Sequence, residues 1–240
     1  MIHEAWFRFK GIDSRQMGVI VTAMPETVRA ERRVQSITIA GRNGTLHMDE
    51  GVYESYDRIM ECALKKRANL DAVAAWLVGS GDMIFSTEPD KVYKVTISNK
   101  ISISSMMRMF QKFQVIMDTQ PFKYSVNPDN DLIEITNLKS VSWKSRPIHN
   151  KGTVESEPII TVYANSSVLM QLNGNKILLE DIDGHITIDS EMMEVYKDGE
   201  NANSKFSSSD GFPKFRVGEN VFRIAGTLEK IVIEPKWRWL

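Results

Sequence analysis

Four histidines, His3, His47, His149 and His185, are the first residues to weigh for chemistry, since imidazole is both a common metal ligand and a common general base. They stand singly. No His-Glu-x-x-His run and no Cys/His pair at metal-ligand spacing accompanies them, so each reads as a surface or satisfied polar residue. Asp181-Ile182-Asp183-Gly184 has the opening of a calcium loop, but the bidentate glutamate of loop position 12 would fall on Met192, with Glu191 one place early. The stretch reads as a hairpin turn. Asp189 and Glu191 are the residue types of a glycosidase pair, yet strand alternation alone produces that spacing. No glycine-rich phosphate loop is present. Cys62, the single cysteine, lies in the alternating run 56–64, where Tyr56, Met60, Cys62 and Leu64 share a face, and reads as a buried structural thiol. The expectation is a protein that is not an enzyme and needs no cofactor or metal.

Binding chemistry has more to work with. Lectin sites set an aromatic platform beside hydrogen-bonding side chains, and Trp143 with Arg146, or Tyr163 with Asn165, supply such pairs; packing between domains for Trp143 and core for Tyr163 are the competing assignments. The run Ser105-Met106-Met107-Arg108-Met109-Phe110 offers adaptable thioethers either to a neighbouring subunit or to the chain's own core. Gly41-Arg42-Asn43-Gly44 separates Ser36-Ile37-Thr38-Ile39 from Thr45-Leu46-His47-Met48. Two glycines and an asparagine permit a tight reversal that holds Arg42 out at a tip.

These residues need elements to position them, and β periodicity dominates. One helix is expected, capped by Asn69, with Asp71 in its first turn, Leu70, Val73 and Leu77 on one face, and a stop at Gly79. Strands are expected at Trp6–Lys10, Val19–Val21, Met83–Phe85, Tyr93–Ile97 and Phe113–Met117. Asn127-Pro128-Asp129-Asn130-Asp131 is polar and turn-forming, and places a boundary after residue 126. Residues 127–149 read as a linker with a lead-in strand, and 150–240 as a second, purely β domain. There Asn173-Gly174 and Asp183-Gly184 punctuate strands at the spacing of an antiparallel sandwich of the jelly-roll kind. Residues 201–210, rich in Ser and Asn, read as a mobile surface loop.

Composition narrows the partners. The 240 residues carry 30 Lys plus Arg against 31 Asp plus Glu, a formal net charge of -1. Nothing in that balance attracts polyanions, so sequence-specific nucleic-acid binding is not expected. No apolar run is long enough to span a bilayer, and the first residues lack the pattern of a signal peptide, so neither membrane insertion nor leader-directed export is expected.

In their order along the chain, these elements resemble the distal tail protein of siphoviruses, the long-tailed bacteriophages. The resemblance rests on the aromatic first strand with Gly11-Ile12-Asp13-Ser14, the Ile37-Thr38-Ile39-Ala40-Gly41-Arg42-Asn43-Gly44 turn, and the helix ending Trp76-Leu77-Val78-Gly79. Pro121-Phe122-Lys123-Tyr124, Asn150-Lys151-Gly152-Thr153, Ser156-Glu157-Pro158-Ile159, Phe212-Pro213, Gly218-Glu219-Asn220 and Pro235-Lys236-Trp237-Arg238 extend it to the end. The resemblance implies a mainly β protein with an N-terminal domain (1–126) similar to tail-tube proteins and a C-terminal galectin-like sandwich, with packing of the last residues back on the N-terminal domain left open. It further implies a virion structural protein of the tail tip, encoded by a phage or prophage and assembled in the bacterial cytoplasm. Six copies would form a ring joining the tail tube to a tail-associated lysin or fibre hub. Gly41, Arg42, Asn43 and Gly44, with Met106, Met107 and Met109, would then lie at subunit or tube contacts. The alternative is a carbohydrate-binding, receptor-recognising module of a phage tail, using Trp143, Arg146, Tyr163 and Asn165.

Overall fold

The computed structural model describes residues 5–65, 68–98, 104–107, 110–136, 138 and 141–240, with the backbone alone at 104–107, 110–111 and 141. The chain is mainly β and divides into two compact units, residues 1–126 together with Leu240, and Asn127–Trp239.

In the first unit the strands are β1 (Phe7–Phe9), β2 (Ile12–Asp13), β3 (Val19–Ala23), β4 (Arg32–Ile37), β5 (Leu46–Tyr53), β6 (Tyr56–Leu64), β7 (Gly79–Phe85), β8 (Glu88–Ile97), β9 (Ser104–Met107) and β10 (Phe110–Ser125), with helix α1 (Leu70–Trp76) between β6 and β7. An antiparallel sheet runs in the order β2-β1-β7-β8-β10-β6-β3, with β9 also paired to β10. Strand β10 passes through Pro121, which has no N–H to give a ladder, and its register against β8 shifts between Thr119 and Lys123 at that point. The expected segment Pro121–Tyr124 therefore lies inside a strand.

Helix α1 begins as its cap dictates, with Asn69 Oδ1 accepting from Ala72 N at 3.2 Å. Its buried side differs from the expected one. Leu70 is exposed, whereas Val73, Trp76 and Leu77 are buried. Trp76 stacks on Phe7 with ring centroids 5.4 Å apart and donates Nε1–H to Phe9 O at 3.0 Å, which ties helix to sheet.

Strand β6 holds the residue that sequence reasoning missed. Its inward side carries Arg58 as well as Met60, Cys62 and Leu64, all buried. The Arg58 guanidinium sits 4.7 Å from the Phe85 ring centroid and 4.8 Å from that of Tyr93. Beside it the Tyr93 hydroxyl donates to Glu88, whose other oxygen accepts from Lys123 Nζ at 2.9 Å. Burial, and then the Glu88 hydrogen bond, hold the Tyr93 hydroxyl well above its usual range. For Glu88 burial pushes the other way, but the bonds from Tyr93 and Lys123 outweigh it and leave the carboxyl below its usual value. Cys62 is 1% exposed, and burial pushes its thiol up to about 12.

The second unit contains β11 (Ile133–Thr136), β12 (Val141–Asn150), β13 (Ile159–Ala164), β14 (Val168–Leu172), β15 (Asn175–Leu179), β16 (Gly184–Asp189), β17 (Glu194–Lys197), β18 (Glu200–Asn201), β19 (Phe206–Ser208), β20 (Gly218–Gly226) and β21 (Lys230–Glu234). Residues 127–149 thus contribute a 3-10 turn, β11 and most of β12. One antiparallel sheet has the order β11-β21-β13-β16-β17-β18 and the other β12-β20-β14-β15-β19. Alternating residues of both, among them Ile160, Val162, Met170, Ile177, Ile188, Phe222, Ile224 and Ile231, fill the core between them. Trp237 is buried in the same core against Phe215, and Trp239 packs partly buried against it.

Residues 201–210, expected to be loose, form β18, a 3-10 turn and β19 instead. Their polar side chains bond backbone. Asn203 Oδ1 accepts from Val195 N at 2.6 Å, Asn201 Oδ1 from Asn203 N at 3.1 Å, and Phe206 stacks on Phe212 at 4.7 Å.

Candidate assembly interface

Strands β4 and β5 form a two-stranded sheet that pairs with no other described strand. Residues 31–52 are exposed without exception. A ribbon of this kind is marginal by itself, because it has no third strand or packed layer to bury a face. Its register matters, since cross-strand partners share a face. Ile37 faces Leu46 and Gln35 faces Met48 on one side, while Ser36 faces His47 and Val34 faces Asp49 on the other. One side is therefore largely apolar, with Ile37, Leu46 and Met48 each 37–50% exposed. The opposite side is largely polar, and there Ser36 Oγ lies 3.1 Å from His47 Nδ1.

Ion pairs stiffen the base. Arg32 meets Asp49 at 2.5 Å and lies over the Tyr53 ring, while Arg33 bonds Glu54 through two nitrogens at 2.6 and 3.1 Å. The Gly51 backbone N–H and then Arg32 hold the Asp49 carboxyl below its usual range, and Arg33 does the same to Glu54. At the tip only Gly41 and Gly44 take positive φ, at 79° and 84°; Asn43 does not use the left-handed region its side chain would allow. Arg42 N donates to Ile39 O at 3.2 Å, and the exposed Arg42 side chain makes no ion pair among the described residues.

The other sequence-derived residues are dispersed. The backbone of Met106 and Met107 lies in β9, where Met107 pairs with Phe110, and Met109 lies outside the described residues. Trp143 and Arg146 are both exposed on β12, three residues apart. Tyr163 is on β13 in the other sheet, with Lys230 Nζ 4.9 Å from its ring centroid and the His185 ring 5.8 Å away. Asn165 Oδ1 accepts from Gly184 N at 2.8 Å. The two aromatic pairs thus lie on separate sheets.

The residues weighed for catalysis have structural partners. His149 Nδ1 is 2.8 Å from Glu219, and His185 Nε2 is 3.5 Å from Asp198; His3 lies outside the described residues. Asp189 Oδ1 accepts from Glu191 N and Met192 N, which closes a turn, and Glu191 pairs with Lys236 at 3.1 Å. Around Asp181 and Asp183, Lys205 and Lys197 ammoniums bond the backbone oxygens at 2.7 and 2.6 Å.

No family model and no curated protein sequence matches this chain. Among solved structures, the SPP1 Dit (gp 19.1) protein superimposes with a TM-score of 0.73 at 15% identity, over 95% of this chain and 97% of that one. That protein is described as a paradigm of the hub adsorption apparatus in phages infecting Gram-positive bacteria. Across nearly the whole of both sequences, the chain shares the fold of a phage hub protein.

Proposed function

We propose that the chain is a structural protein of a phage tail tip, and that six copies close a ring joining the tail tube to a tail-associated lysin or fibre hub. The observation that carries this reading is the β4–β5 ribbon, an amphipathic two-stranded element whose apolar side stays exposed among the described residues. A head-to-tail ring covers such a ribbon on every copy, because each subunit presents the same surface to the next and closure leaves none over. The fold shared with a phage hub protein supports the same assignment. Gly41, Arg42, Asn43 and Gly44 would lie at the ribbon's contact with the neighbouring subunit or the tube. The reading includes no catalysis.

Light scattering coupled to size exclusion, over a concentration series, tests the ring. The expected species is a hexamer visible as a ring in negative stain; a monomer at the highest concentration, alone and with a tube-protein partner, would sink the proposal. The two units are further proposed to be separate domains, each with its own core. A fragment from Asn127 to Leu240 is expected to be soluble, monomeric and cooperative in thermal unfolding.

A further inference from the structure

The second unit carries a pair of arginines that make no ion pair among the described residues and line one cavity. Register pairs Gln171 with both Arg223 and Lys176, so Arg223, Gln171 and Lys176 form a row across β20, β14 and β15 on the side away from the core. A cavity of about 430 Å³ opens there, lined by Gln171, Asn173, Gly174, Arg216, Val221 and Arg223. No carboxylate lines it. Lys214 and Arg238 are paired with Glu157 and Lys236 with Glu191, whereas Arg216, Arg223 and Lys176 make no ion pair among the described residues. Glu219, on the same side of β20 as Arg223, is engaged by His149.

The walls are held rigidly. Asn220, fully buried, accepts on Oδ1 from Arg216 N at 2.9 Å and from Asn173 Nδ2 at 2.6 Å, and donates Nδ2–H to Arg216 O at 2.8 Å and Gly218 O at 2.9 Å. Asn173 Oδ1 in turn accepts from Val221 N at 2.9 Å. One amide therefore fixes the backbone under Arg216 to the Asn173-Gly174 turn. The backbone that carries Arg216 is set before a ligand arrives.

Two unpaired guanidiniums beside one cavity suit an oxyanion, because each planar fork matches two oxygens of a phosphoryl group. The depression opens to solvent, which leaves room for more than a bare phosphate. Gln171 Oε1 and the carbonyls of the turn are acceptors for hydroxyl groups. We propose that this cavity binds a phosphate ester of a polyol, with the phosphoryl group between Arg216 and Arg223 and the hydroxyls toward Gln171 and the turn. The adjoining cavity of about 580 Å³ shares Arg216 but is lined by Glu155, Glu157, Glu191 and Asp210, which repel an anion. The ester is thereby directed to the smaller site.

Isothermal titration of the full chain with glycerol 1-phosphate, glycerophosphoglycerol and uncharged glycerol tests the site. At least one ester is expected to bind with one-to-one stoichiometry, weakening as salt rises, while glycerol does not bind. A tighter monoester identifies a free phosphorylated metabolite as the source, and a tighter diester a phosphodiester polymer or lipid headgroup. R216Q and R223Q should each weaken binding by about tenfold, the loss of one charge-assisted contact, with an unchanged thermal midpoint since both side chains are exposed. The proposal is overturned if neither ester binds more tightly than glycerol, or if the double variant keeps its affinity. Binding only to an oligoglutamate peptide would overturn it as well.

Discussion

Two hairpins of this molecule carry similar sequence signals and have opposite fates. Strands β14 and β15 meet at Asn173-Gly174, whose φ values of 52° and 100° are those of a primed turn, and Val168, Met170, Leu172, Ile177 and Leu179 are buried on one side. Strands β4 and β5 meet at Gly41-Arg42-Asn43-Gly44 and alternate less strictly, and neither side is buried. Turn chemistry and alternation therefore specify a hairpin and its two faces. They do not say whether the apolar face is covered by the same chain. In β14–β15 the facing sheet covers it, and in β4–β5 it stays exposed.

The sharpest test of that contrast is to damage each hairpin's surroundings and ask what fails. Truncating the core under β14, by Phe222→Ala, should cost about 3–5 kcal/mol of folding stability, read from urea unfolding, because Phe222 is fully buried between the sheets. The ribbon should respond otherwise. Ile37→Asp with Leu46→Asp should leave the unfolding of the isolated subunit within about 0.5 kcal/mol for each exposed site, while weakening ring assembly by about 2 kcal/mol or more. If subunit stability falls instead, the apolar side is covered by the same chain and the contrast fails.

A pH series separates the first unit's interior from its ribbon. Glu88 has a folded pKa below its unfolded one, so its contribution is complete above the unfolded value of about 4.3 and is lost as pH falls through the folded value. The stability gap between the native protein and Glu88→Gln should therefore shrink as pH falls from 5 to 3, and stay constant above 5. A gap independent of pH would show that Glu88 is unperturbed by Tyr93 and Lys123. The smallest expected effect on folding is that of Arg42→Ala, within about 0.5 kcal/mol, with a loss confined to assembly. Unchanged assembly would assign Arg42 to solvent.

Much of this was readable from residue order, for physical reasons that also mark where reading stopped. Asn69 announced α1 because its side chain caps by a purely local bond, and Asn173-Gly174 announced a turn because its backbone preference is local too. Arg58 was passed over because a cation breaks the pattern of Tyr56, Met60, Cys62 and Leu64, although its spacing put it on their side; the rings of Phe85 and Tyr93 that receive it come from two other strands. Residues 201–210 were misread because Ser and Asn have poor strand preference, while backbone groups that the Asn203 and Ser209 side chains bind, Val195 N and Lys176 N, lie elsewhere in the chain. At the ribbon the residues were legible and their exposure was not. Exposure depends on what every other segment does.

The burial of Cys62 has a practical consequence for following assembly. The only sulfhydryl in the sequence is enclosed in the first unit's core, and its thiolate is scarce at neutral pH. Maleimide chemistry should accordingly find nothing to attack on the native fold. A cysteine introduced at the Arg42 tip would then be the sole reactive handle. A fluorophore placed there would report when the ribbon leaves water, without any need to remove the native thiol first.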